Sequence, residues 1–241
     1  MTGEDANQLS RNDLEAILFS DNSGVRSRFR QHFADLIRQF LDEFERAYGL
    51  VLGFGRGLKP DLRAAWTEAF VFSAFNSSLT SCHLLISGFS IPSGNLMRHY
   101  AEAFAMALLC SHHAIDVARR FDQAPTKFPV HNAVQLVRKR RNTELLRINA
   151  QGWTSFEAIA SWYDNYSHPS AFSLAKQTMR GEPGSRILGG EFDDCKRAEY
   201  RKELGLRVSS MTRLCDLVAA VEENLRVAQT KGLIEPEAPA I

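Results

Sequence analysis

Cysteine is scarce and scattered in this 241-residue chain: Cys82, Cys110, Cys195 and Cys215 form no CxxC pair. That spacing argues against a disulfide framework or a zinc cluster, and reads as small buried hydrophobes in a reducing compartment. An excess of charge is lacking too, since 29 basic residues face 28 acidic ones for a net +1. No global electrostatic pull toward nucleic acid or anionic lipid follows, although a local patch is still allowed. The stretch Met1 to Gln8 has neither a basic nor an apolar block, so no signal peptide is expected. No apolar run comes near the ~18 residues that cross a bilayer. A cytoplasmic location is therefore expected, with no membrane partner. Strand signals are nearly absent, and no internal repeat is visible. Neither a GxSxG elbow nor a Glu-x-x-His pair occurs. Those gaps remove the α/β-hydrolase and di-iron carboxylate patterns.

What is present is helix. Val25, Phe29, Phe33, Leu36, Ile37, Phe40, Leu41, Phe44 and Tyr48 recur at helical spacing with charged residues between them. They predict a long amphipathic helix capped by Ser23 and stopped near Gly49. Gly53-Phe54-Gly55-Arg56-Gly57 follows a helix, not a strand, so it reads as a connection and not a phosphate loop. A second helix from Pro60 to Ser87 carries Ser73, Ser77, Ser78 and Ser81, small enough to let a neighbouring helix approach closely. A third, from Pro92 to about Phe121, is apolar on every side through Ala101 to Cys110 except at Glu102, which places it in mid-core.

Beyond the prolines at 125 and 129, a helix is expected over 130–146. Another opens at a Thr154–Glu157 capping box and stops at His168, because Pro169 disfavours helical geometry before it. A short helix through Phe172 and Leu174 precedes an irregular stretch, 180–194, with at most a short strand pair. From Asp194 to Gln229, Met211, Leu214, Val218, Val221, Leu225 and Ala228 alternate steps of three and four. Such a seam packs inside a bundle or against a second copy, so a homodimer is an expected partnership. The sum is an all-α, mainly antiparallel bundle of six to eight helices. One domain is expected over residues 10–230, with disordered tails at 1–9 and 231–241.

The candidate chemistry gathers at the start of the third helix. Arg98 and Glu102 stand at i,i+4 on one face, with His99 beside them. Tyr163, Tyr166, Ser167 and His168 come from the helix that Pro169 ends. One reading is structural, an ion pair that sets how helices register, with His168 tying down a junction. The functional reading has Arg98 bind an anion while Glu102 orients or deprotonates His168 near neutral pH. His99, Tyr163, Tyr166 and Ser167 would complete a site for a small ligand or protein partner, with no cofactor. No metal site is assigned, since His99 and His113 lie 14 residues apart, ~21 Å along a helix. The run Arg138 to Arg141 points all around its helix, so it reads as a solvated segment and not a nucleic-acid stripe.

Leu96-Met97-Arg98-His99-Tyr100-Ala101-Glu102, with Tyr166-Ser167-His168-Pro169-Ser170 about sixty residues later, resembles a bacterial helical-bundle family of unknown function. In that family an R-x-x-x-E helix precedes an S-x-x-H-P or S-H-P-S motif. The family is distantly similar to the HEPN superfamily, which includes RNA-cleaving toxins and phage-defence proteins. The resemblance covers roughly residues 60–180. It implies a helical bundle and, as an alternative activity, metal-independent RNA cleavage with an arginine four to six residues before a histidine. Arginine would then stabilise the phosphate transition state while histidine moves the proton. Before His168 stand Ser161, Trp162, Tyr163, Asp164 and Asn165, with no arginine among them. Arg26 and His32 have that spacing, but on the solvated face of the amphipathic helix.

Overall fold

The computed structural model describes residues 10–140, 150–166, 169–178 and 187–234. Among these residues the chain is an all-α, mainly antiparallel bundle of nine α-helices and two 3-10 turns, with no strand. The helices are α1 (Arg11–Leu18), α2 (Ser23–Gly53), α3 (Leu62–Ile86), α4 (Ser90–Ser111) and α5 (Val117–Gln123). They continue as α6 (Ala133–Arg140), α7 (Ala150–Asp164), α8 (Ala171–Lys176) and α9 (Arg197–Thr230). The number passes eight because the expected central helix divides into α4 and α5. Residues 1–9 and 235–241 of the expected tails, and 180–186 of the 180–194 stretch, lie outside the described residues. Within the rest of that stretch, the Ile187 amide donates to Gln177 O at 2.8 Å.

Local chemistry explains most helix boundaries. Ser10 accepts from the Asp13 amide while Asp13 accepts from the Ser10 amide, a reciprocal box that starts α1. The first residue beyond the cap of α2 is Ser23; the cap itself is Asn22, in left-handed geometry at φ 53°. That helix runs past Gly49 to Gly53 and kinks at Phe33, where φ is −139°. Asp61 caps α3 by accepting from the Ala64 amide at 2.7 Å. At the other end, Gly88 takes φ +88°. The amides of Gly88 and Phe89 then bond Leu85 O and Leu84 O, a Schellman ending that turns the chain straight into α4. Helix α7 begins at Ala150, ahead of the Thr154 position where a capping box was expected.

Helix α4 is the centre of the bundle, touching α3, α5, α6, α7 and α9. From Ala101 to Ser111 every residue except Glu102 is buried, as its all-round apolar sequence implied. Its main partner is α3, and the approach is close because the facing residues are small: Ser77, Ser78 and Ser81 on α3, Ser93 and Gly94 on α4. The Ser81 hydroxyl donates to Ser93 O at 2.8 Å and the Ser93 hydroxyl donates to Ser81 O at 2.7 Å. The end at Ser111, ten residues short of the expected Phe121, has a cause outside the helix. Arg63 of α3, only 3% exposed, donates to Cys110 O and His112 O and so supplies partners for the last carbonyls.

The seam of α9 is used inside the bundle. Met211, Leu214, Val218, Val221, Leu225 and Ala228 are all buried, and α9 packs against α2, α3 and α4. The glycine-rich segment after α2 is a helix connection, held by α9 side chains. Gly55 N donates to Glu222 and Lys59 N donates to Gln229. Helix α3, with mean hydropathy 1.3, is long and apolar enough to cross a bilayer by length and composition, a segment not anticipated from the sequence. Its packing against α4 gives the same apolarity a use within the bundle. Cys82, Cys110 and Cys215 are buried, Cys195 is exposed, and all are unpaired.

Candidate functional site

Arg98 and Glu102 do share a face of α4, with Arg98 Nε 3.1 Å from Glu102 Oε1. Asp164, at the end of α7, comes to 3.6 Å from the same nitrogen. These groups floor a cleft of about 360 Å³ between α4, α6 and α7. Its rim carries His131 and Asn132 from the first 3-10 turn, Gln135 and Arg138 from α6, and Ser161 from α7. Arg138 is in turn paired with Glu157 at 2.6 Å. The cleft therefore holds two guanidinium groups and an equal or greater number of carboxylates. It is polar, mixed in sign, and no trap for a bare anion.

The arginine is anchored by one nitrogen only. Its Nε meets both carboxylates, while the two Nη nitrogens take no partner among the described residues. A guanidinium steadied at Nε and open at its fork is prepared for bidentate recognition of a carboxylate or phosphate. Glu102 retains lone pairs on the same floor, and its side chain is only 17% exposed.

The other expected site residues divide. His99 turns away from the cleft lining and bonds the Ser77 hydroxyl through Nδ1 at 2.8 Å, joining α4 to α3. Ser167 and His168 lie outside the described residues. Tyr163 and Tyr166 belong to a separate, buried network centred on α9. Arg207, fully buried, donates to Glu203 Oε2 at 2.9 Å, to Tyr163 OH at 3.0 Å, and to the hydroxyls of Ser81 and Ser93 at 3.0 and 2.5 Å. Glu203 also accepts from Trp162 Nε1 at 3.0 Å, from Tyr163 OH at 2.9 Å and from Tyr166 OH. One ion pair thus ties α3, α4, α7 and α9 together.

The electrostatics of that network follow from burial and pairing. Burial alone would raise the Glu203 carboxyl, but the Arg207 charge and the donors around it outweigh burial and hold it below the ordinary carboxylate range. Burial and the neighbouring Glu203 charge push both Tyr163 and Tyr166 well above the ordinary phenol value. Sequence reasoning missed Glu203 and Arg207, although a signal was there. Stepping back along the α9 seam from Met211 by four and then three reaches Arg207 and Leu204. A charge at a seam position must find a buried partner.

Gly94 shows how tightly this network is set. A Cβ there would lie 2.2 Å from Tyr166 Cδ1, and that ring is pinned through its hydroxyl to Glu203. Gly94→Ala is expected to lower unfolding free energy by about 1–3 kcal/mol. Gly205→Ala, on α9 with nothing within 4 Å of its Cβ, is expected to raise it by about 0.5–1 kcal/mol. Urea unfolding of both variants checks the contrast, and equal effects would mean the Tyr166 ring yields freely.

Among the described residues no three His, Cys, Asp or Glu side chains are gathered so as to hold a metal ion. Comparison with protein-family models, curated proteins and solved structures finds no match to this chain.

Proposed function

We propose that this chain is a cytoplasmic ligand-binding bundle whose cleft at Arg98 takes a small zwitterion, an amino-acid-like molecule with a carboxylate and an ammonium group. One observation carries the reading: Arg98 Nε is hydrogen-bonded to Glu102 with Asp164 3.6 Å away, while its two Nη nitrogens have no partner among the described residues. The fork accepts the ligand carboxylate bidentately, and the two protein carboxylates accept the ammonium. Asn132, Gln135 and Ser161 offer neutral hydrogen bonds to the remainder. The unpaired cysteines support a reducing compartment.

Calorimetric titration with glutamine, N-acetylglutamine and glutamine methyl ester tests the charge requirement. Saturable binding is expected for glutamine alone of the three, weakened about tenfold or more by Arg98→Lys and by Glu102→Gln. Binding that survives Arg98→Ala, or no binding by any of the three, overturns the reading.

A second reading has one observation in its favour. His131 lines the same cleft as Arg98, so an arginine and a histidine from separate elements face one space. That couple supports metal-independent RNA cleavage of the HEPN kind, Arg98 taking the phosphate and His131 moving the proton. Against it, Glu102 and Asp164 stand on the same floor and would repel a phosphodiester that has no ammonium to offer them. RNA fragments released in the presence of EDTA by the wild type, and not by His131→Ala, would put catalysis in place of ligand binding.

A further inference from the structure

The face of α7 turned away from the Arg98 cleft borders a second pocket, of about 370 Å³, bounded by α8 and α9. Its chemistry is unlike that of the first. Trp162 and Phe172 meet edge to face along one side of it, ring centroids 5.4 Å apart and interplanar angle 83°. The indole cannot rotate freely, because its Nε1 donates to buried Glu203. Two ammonium groups border the same space. Lys176, its side chain 8% exposed, is paired with Glu199 at 2.8 Å. Lys202 has no carboxylate partner among the described residues, and its Nζ lies 3.3 Å from the Trp162 ring centroid.

An aromatic-walled pocket of a few hundred Å³ with one positive charge in excess is a site for an apolar molecule with an anionic end. An ammonium resting on an indole face is held by the ring quadrupole alone, a weaker partner than a carboxylate at hydrogen-bond distance. We propose that this pocket binds a small aromatic carboxylate. Its ring packs into the corner that the touching Trp162 and Phe172 rings form, beside Ala175 and Ala198, and its carboxylate takes the Lys202 ammonium. Lys176 stays on Glu199 and supplies the second cationic edge. The proposal is independent of the zwitterion cleft, since no residue lines both spaces.

The indole Nε1–H resonance of Trp162, assigned by its loss in Trp162→Phe, reports occupancy directly. Titration with 4-phenylbutyrate is expected to move it saturably, and the neutral 4-phenylbutyramide is expected to bind about tenfold or more weakly. Lys202→Ala, an exposed position, should reduce the acid to the affinity of the amide. Ala198→Leu, on the exposed rim, should block both compounds with the melting temperature unchanged, while Arg98→Ala should leave the titration as it was. Equal binding of acid and amide, no loss in Lys202→Ala, or no saturable movement of this resonance in the wild type overturns the proposal.

Discussion

Arg207→Ala is expected to lower the free energy of unfolding by about 3–5 kcal/mol, the range for removing one partner of a buried ion pair. The variant leaves Glu203, 3% exposed, as a carboxylate with three hydrogen-bond donors and no counter-charge. It also strips the Ser81 and Ser93 hydroxyls of the donor that joins the α3–α4 contact to α9. Replacing both members, Glu203→Gln with Arg207→Met, should cost clearly less than the two single changes added together, since no charge is left uncompensated. The pH dependence gives an independent check. In the folded chain Glu203 is held below its ordinary value of 4.5, so the unfolded chain takes up that proton first as pH falls. The stabilisation is complete above pH 4.5 and is lost on further acidification. An acid limb seen in the wild type by urea unfolding should therefore shrink in Arg207→Ala. A loss under about 1 kcal/mol in that variant would show that the pair is not the clamp.

How much of this was legible in the sequence follows from whether the cause was local. The 3.6-residue stripe of α2 and the all-round apolarity of α4 act within a turn or two, and the structure has them. The Arg98–Glu102 pair was legible for the same reason, being four residues apart on one helix. The end of α4 at Ser111 was not, because it depends on Arg63, which is distant in sequence. Tyr163 and Tyr166 were picked out correctly as unusual but were assigned to the cleft. The rotation of Tyr163 around α7, and of Tyr166 in the turn after it, decides otherwise. Ala160, Ser161 and Asp164 share the face toward Arg98, whereas Tyr163 and Tyr166 point to Glu203. Helical spacing fixes which residues share a face, but only packing fixes which neighbour that face meets.

The same buried phenols lead to the second large effect, a steep alkaline loss of stability. Tyr100, Tyr163 and Tyr166 are fully or nearly fully buried, and burial pushes each well above the ordinary phenol value of 10. Two buried thiols join them, Cys82 pushed up to about 11 and Cys110 to about 12 by burial. For groups raised in the folded chain the stabilisation is fully present below the unfolded value and is lost as pH rises toward the folded one. The thiols therefore begin the decline near pH 9, and the tyrosines steepen it above pH 10. These three phenols alone, at about 1.4 kcal/mol each per pH unit, give about 4 kcal/mol lost between pH 10.5 and 11.5, comparable to much of a typical domain's stability, and buried Tyr200, pushed up to about 12, adds to the loss. Tyr166→Phe lacks one of the three, so its stability should fall less steeply, by about 1.4 kcal/mol per unit. Urea unfolding at steps from pH 8 to 11.5 measures both slopes. A stability that stays level across that range would mean these hydroxyls exchange protons with solvent in the folded chain, and the network around Glu203 would then be open where it is closed here.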